Sequence, residues 1–291
     1  MRVGTIVRLG PVSGGAAPAS YAEIKAMARH MESVGVDSIW LYDHLLYRWP
    51  DKPTGGIWEG WTILSALAEA THHVGLGTMV MCTPFRNPAL LAKMAVTLDA
   101  VSDGRLTLGI GAGWHQPEFD AFGVPFDHRG GRFEEAVKII APLLREGRVD
   151  FRGKYYQAPE CEILPSGPRA AGPPLLIAGK GPRMLRLTAQ YADAWNTAWH
   201  AEPASAEARL GMIREACLQH GRDLATIGLT AGVTLAYPDL GEAPANALSG
   251  STEELAEALH GYAALGLSDV VVDVNPYTPA ALDCFGEAIA A

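Results

Sequence analysis

The chain carries only four cysteines in 291 residues, Cys82, Cys161, Cys217 and Cys284, and no two stand in a CxxC or CxxxC spacing. That excludes a disulfide frame and suits reduced thiols in a reducing compartment, so a cytoplasmic location is expected. Base is scarce: 23 Lys and Arg face 32 Asp and Glu, a net charge of -9. Neutralising phosphates needs a basic face, so no nucleic-acid partner is expected. No apolar run approaches the roughly 18 residues of a membrane helix, and the N-terminus reads as a strand without an apolar leader. Neither a membrane span nor a signal peptide is therefore expected. The nine histidines form no HxH or HExxH pair, so no metal site is expected. A long polar linker, a short repeat and a low-complexity tract are also missing. Residues 1–291 read as one domain.

What is present is alternation. The stretch Val74 to Trp114 holds a glycine-bounded apolar run, then Pro84 and Asn87-Pro88. Apolar residues then recur at helical spacing from Leu90 to Val101. Ser102-Asp103-Gly104 ends that helix, and Arg105 to Gly113 is a second apolar run. This is one βαβ unit. The pattern recurs along the chain: strands at 3–9, 37–43, 74–81, 105–113, 175–178, 193–198, 226–235 and 269–274, each followed by a helix. Eight strands alternating with eight helices predict a (β/α)8 TIM barrel, whose chemistry sits at the C-terminal ends of the strands. An irregular segment at about 146–174, with a hairpin turning at Arg152-Gly153, reads as an insertion on that rim. A Gly/Ala/Pro/Ser loop follows the first strand, and Tyr237 to Gly250 reads as a lid.

Three spots on the rim can carry chemistry. Asp43-His44 ends the second strand; a carboxylate and an imidazole there can bind a polar heterocycle or move a proton near neutral pH. The structural alternative is Asp43 capping the loop and His44 packing on Trp49. Gly179-Lys180-Gly181-Pro182 opens a helix, and free N–H groups with a lysine suit a phosphate. The alternative is an ordinary turn with proline at the first helical position. Gly109-Ile-Gly111-Ala-Gly113 lacks the sixth position of a dinucleotide fingerprint, because Trp114 stands there. It reads as close backbone approach to a flat ligand, or as tight barrel packing. Trp114, Trp195 and Trp49 lie near strand ends, where they can face a planar cofactor.

The pieces DSIWLYDHLL, LGTMVMCTPFRNPALLAKMAVTLDAVSDGRLTLGIGAGW, PEFDAFGVPFDHRGGRFEEAV, FRGKYY and LLIAGKGPRMLRLTAQYADAWN, in this order, resemble the luciferase-like flavin-dependent oxidoreductases over most of the chain. The resemblance implies a barrel of the bacterial-luciferase type with insertions at the C-terminal rim, homodimers, and either FMN or the deazaflavin F420. The Asp-His, the R-N-P and the I-A-x-x-G-P turn are more similar to the F420 branch. By that match the Met79–Val80 peptide is cis and buttresses the ring. Asp43 and Cys82 contact the ring or ribityl chain, with Gly113 and Trp114 beside them. Ala178, Gly179, Lys180 and Gly181 hold the phosphate, His44 is the acid/base, and Trp49 is an active-site tryptophan. Asp43, His44 and Trp49 form the expected catalytic set. Two departures bear on the substrate: Trp114 stands where sugar-phosphate dehydrogenases have a glutamate, and Arg8 where alcohol dehydrogenases have an acid. The resemblance then implies hydride transfer to or from a small, apolar or aromatic substrate. Alternatives are a reduced-FMN monooxygenase, with a separate reductase as partner, and a non-catalytic flavin-binding protein.

Overall fold

A computed structural model describes residues 1–11 and 17–291, so the expected loop after the first strand lies partly outside the described residues. The barrel strands are β1 (Arg2–Ile6), β2 (Ser38–Leu41), β3 (Gly75–Thr78), β4 (Leu106–Gly111), β5 (Leu175–Ala178), β6 (Ala194–His200), β7 (Gly228–Ala236) and β8 (Asp269–Asn275). Each pairs in parallel with its neighbours in chain order. The pairing of β8 with β1 closes the ring, and the expected (β/α)8 barrel is observed. All eight C-terminal ends therefore share one rim.

The helices are α1 (Tyr21–Ser33), α2 (Gly60–Ala70), α3 (Pro88–Val101), α4 (Gln116–Phe122), α5 (Arg129–Glu146), α6 (Pro182–Tyr191), α7 (Pro203–Gln219), α8 (Thr252–Ala264) and α9 (Pro279–Ala290). Local chemistry sets their ends. Ser20 with Glu23, and Ser251 with Glu254, form capping boxes on α1 and α8. Asn87 caps α3, with Pro88 in its first turn. Among the described residues, no helix is long and apolar enough to cross a membrane.

The main core lies between strands and helices. Inside the ring a second, smaller cluster of Ile6, Trp40, Leu176 and Val271 plugs the barrel. Trp40 crosses the lumen, and the sequence leaves room for it: a Cβ on Gly77 would lie 2.2 Å from its ring. This plug is the floor beneath the rim.

Three expectations need correction. The third strand ends at Thr78 and does not run to Met81. Met79 and Val80 leave the ladder, and Met81–Cys82 returns to pair with Ile110 and Gly111. The fourth expected helix, whose apolar pattern predicts a start at Phe133 and an end at Arg145, is α5 and begins at Arg129, through two glycines. And α4 has no counterpart among the eight expected helices.

The hairpin (Arg148–Arg152 with Gln157–Glu162) forms as expected. Glu135 of α5 pins its turn by accepting the backbone N–H groups of Lys154, Tyr155 and Tyr156 at 2.8, 2.7 and 3.0 Å. Because the hairpin follows a helix, its base hangs from the end of α5, and Ile163 N–H donates to Gly147 O.

Candidate active site

A cavity of about 490 Å³ opens on the rim above the Trp40 plug. Asp43, His44, Met79, Val80, Cys82, Gly113, Trp114, Ala178, Gly179 and Lys180 all line it, so ten of the expected site residues converge from four strand ends. Two do not: neither Trp49 nor Gly181 lines it, and nor does any residue of 146–174 or 237–250.

Asp43 is not a free base. It is buried, and Arg86 grips both its oxygens, with N–O distances of 2.6 and 3.1 Å. The backbone N–H of Cys82 donates to it at 2.9 Å. Arg86 reaches on to Glu59, the cap of α2. Burial pushes the Asp43 carboxyl up, and the guanidinium works against that push. Held by three donors, Asp43 positions the Met81–Cys82 segment.

His44 is held differently. Its Nδ1 lies 3.0 and 3.2 Å from the two carboxylate oxygens of Glu118, which also accepts the Leu45 N–H at 2.9 Å. Glu118 is only 1% exposed. A carboxylate facing Nδ1 accepts from it, so Nδ1 is the donor in this pair and Nε2 is the ring nitrogen left for the cavity. Among the described residues Nε2 has no partner, and it belongs to a side chain on the cavity wall. A positioned imidazole of this kind can take or give one proton.

Glu118 escaped the sequence reading. The acid expected at position 114 is absent, but a carboxylate arrives from α4 and serves the histidine. The available signal was a lone Glu-Phe pair buried on one turn, between Pro117 and the left-handed Gly123.

Cys82 lies under the cavity. Burial pushes its thiol up, and the Asp43 charge adds to the effect, so it stays protonated. Gly113 (φ 73°) packs on it; a Cβ there would lie 2.6 Å from Cys82 Sγ and 2.6 Å from the Phe119 ring. Gly113→Ala is expected to shift the Cys82 floor and weaken ligand binding about tenfold or more, given a strained backbone plus overpacking of about 1–3 kcal/mol. Titrating the variant and the parent with the same cofactor checks this.

The turn at 178–181 presents the start of α6. Gly181 provides no side-chain cap, and the first helical acceptor bond comes from Leu185 N–H. The N–H groups of Arg183 and Met184 are thus left for an anion, with Lys180 beside them. Gly179 (φ 150°) has no room for a Cβ, which would meet Met184 at 2.9 Å.

The tryptophans divide. Trp195 is fully buried and donates its Nε1–H to Gly179 O at 2.9 Å. It supports the turn through that bond and does not line the cavity. Trp49 is half-exposed and lies against Trp114 and His115. The expected packing of His44 on Trp49 is replaced by contacts with Tyr47 and Trp114. Arg8 follows β1 and pairs with Asp273 of β8 at 2.9 Å, off the cavity lining. The Met79–Val80 peptide is cis.

The model of the luciferase-like monooxygenase family matches residues 1–243. The chain is 32% identical over 240 residues to an F420-dependent glucose-6-phosphate dehydrogenase of Kineococcus radiotolerans, covering 80% of this chain and 67% of the relative. Against another such enzyme, of Amycolatopsis mediterranei, the chain spans about half (49%) of the relative's length. Among solved structures, an F420-dependent secondary alcohol dehydrogenase bound to an F420–acetone adduct superposes with TM-score 0.80 at 19% identity, over 99% of this chain and 98% of the other. A riboflavin lyase holding modified FMN and riboflavin superposes with TM-score 0.81 at 16% identity, over 100% and 90%. At these identities the structures share the fold alone.

Proposed function

Because the chain belongs to the luciferase-like monooxygenase family, we propose that it is an F420-dependent oxidoreductase acting on a small organic substrate. The observation that carries this reading is His44: one ring nitrogen fixed by a buried carboxylate, the other unpartnered on the wall of the rim cavity. The F420-dependent relatives support the choice of cofactor.

The residues fit such a group. The Gly179 turn admits a backbone-bound phosphate, and Met79, Val80, Cys82 and Ala178 offer a largely apolar bed for a flat ring. When bound, F420 gives or takes a hydride at C5. The chain does the rest. The α6 N-terminus and Lys180 hold the phosphate, and Asp43 with Arg86 fixes the Met81–Cys82 segment. The protonated Cys82 would add no charge to the bed that holds the ring. His44 Nε2 handles the proton: it accepts one from an alcohol as the carbon is oxidised, or donates one to a carbonyl oxygen as the carbon is reduced. The four unpaired cysteines support a cytoplasmic setting. Leu90 and Val101, exposed on α3, support a homodimer through that face.

The test is equilibrium binding of F420 and of FMN to the purified protein, side by side. We expect micromolar or tighter binding of F420 and none of FMN. The reverse result would replace this reading with a reduced-FMN monooxygenase fed by a separate reductase. Binding of neither would remove the phosphate cradle.

A further inference from the structure

Trp114 lines the cavity yet is 55% exposed. Its ring centre is 5.5 Å from that of His44, edge to face. Anything that brings a reacting carbon within reach of His44 therefore lies alongside Trp114. Trp49 extends the same wall, 5.9 Å from Trp114 and inclined by 31°, and is itself 44% exposed. His115 backs both rings at 4.8 and 5.1 Å. It is buried, its Nε2 accepts the Arg48 N–H at 3.1 Å, and burial lowers its pKa, so it is a neutral ring.

The carboxylates of the cavity are engaged. Glu118 is taken by His44 and Leu45 N–H, and Asp43 by Arg86 and Cys82 N–H. Lys180 stands on the phosphate turn. Among the described residues, no unengaged carboxylate lines the cavity to hold sugar hydroxyls; the cations beside the tryptophans are Arg48, exposed next to Trp49, and Arg129, which donates to Gly113 O at 2.7 Å. What the wall offers is two half-exposed indole faces, which bind flat apolar groups at little desolvation cost.

We propose that the Trp114–Trp49 wall is the subsite for the body of the substrate, and that the substrate is an aryl ketone or the corresponding alcohol. The ketone half of this assignment rests on the hydride-transfer reading above; the aromatic half rests on the wall alone.

The test uses the F420-loaded protein with acetophenone, 2-acetylnaphthalene and glucose 6-phosphate as probes. Binding is read from quenching of tryptophan fluorescence, and turnover from reoxidation of reduced F420. The naphthyl ketone is expected to bind about tenfold tighter than the phenyl ketone, because it covers more ring. Trp114→Ala is expected to raise Kd and KM about tenfold with a smaller change in kcat, Trp114→Phe to restore most of the affinity, and Trp49→Ala to act in the same direction. Saturable ketone binding without F420 turnover would uphold the subsite and remove the hydride reading. Turnover of glucose 6-phosphate with no ketone binding would overturn the subsite and leave the hydride reading standing. Loss of F420 affinity in Trp114→Ala, as large as the loss for ketones, would also overturn it, by making Trp114 a cofactor contact.

Discussion

His44→Ala is expected to lower turnover by about two to four orders of magnitude while F420 still binds, because general acid–base catalysis contributes about that much. The substitution removes the cavity's unpartnered proton carrier and touches neither the phosphate turn nor the Cys82 floor. It also strips Glu118 of one of its two donors, so the variant should be less stable by about 1–3 kcal/mol, the usual cost of an unsatisfied buried acceptor. Glu118→Gln separates proton handling from simple packing. The glutamine amide oxygen can still accept the Leu45 N–H, which turns its NH2 towards His44 Nδ1. The neutral imidazole must then carry its proton on Nε2 and cannot accept another there. The ring stays in place in the wrong tautomer. Turnover in the alcohol-oxidising direction should fall by orders of magnitude, as in other carboxylate–imidazole pairs. Nitrogen NMR of the labelled ring checks the tautomer directly. Wild-type turnover in His44→Ala with a proven substrate would remove the acid–base role. An unchanged tautomer in Glu118→Gln would remove the orienting role.

The barrel was legible because its signals are local and repeated. Glycine, proline and capping residues punctuate strands and helices at every step, and Leu175–Ala178 and Pro182–Tyr191 fall where the pattern puts them. Convergence of Asp43, Cys82 and Gly179 was legible too, since parallel strands place their ends together. The partners of those residues were not. Arg86 could be seen only as part of an R-N-P turn, and Glu118 only as one acid among 32. Neither pairing has a sequence period: His44 and Glu118 are 74 residues apart, Asp43 and Arg86 43. Tertiary contact alone decides whether such a carboxylate is solvated or buried. The misplacement of Trp195 has a similar cause. A tryptophan near a strand end can face the lumen or the helices, and the hydrogen bond to Gly179 O turns it behind the turn. The course of the 146–174 segment was only half legible: its base hangs from the C-terminal end of α5, and Glu135 near the start of that helix holds its turn.

Arg86→Met should be the most destabilising single change at the site, at about 3–5 kcal/mol near neutral pH, the range for breaking a buried pair from one side. Asp43 would keep its burial and its Cys82 N–H but lose the guanidinium that offsets desolvation. Glu59 would lose the same partner, though it is more exposed and still accepts the Trp61 and Thr62 N–H groups. The pH dependence follows from the direction of the shift. With Arg86 gone, burial acts on Asp43 against the Cys82 N–H alone, so its folded pKa lies above the unfolded value of about 3.9. A group raised in the folded state stabilises fully below the unfolded pKa, and that stability is lost as pH rises through the folded pKa. The deficit relative to the parent should therefore be small near pH 4 and grow towards neutrality, until Asp43 ionises in both states. Denaturant unfolding at several pH values reads this out. The double variant Asp43→Asn, Arg86→Met removes the buried charge and keeps an acceptor for Cys82 N–H, so it should recover most of the loss at pH 7. A double variant no more stable than Arg86→Met would show that Arg86 acts through Glu59 and the α2 cap rather than through Asp43. The Met81–Cys82 floor would then owe its position to packing alone.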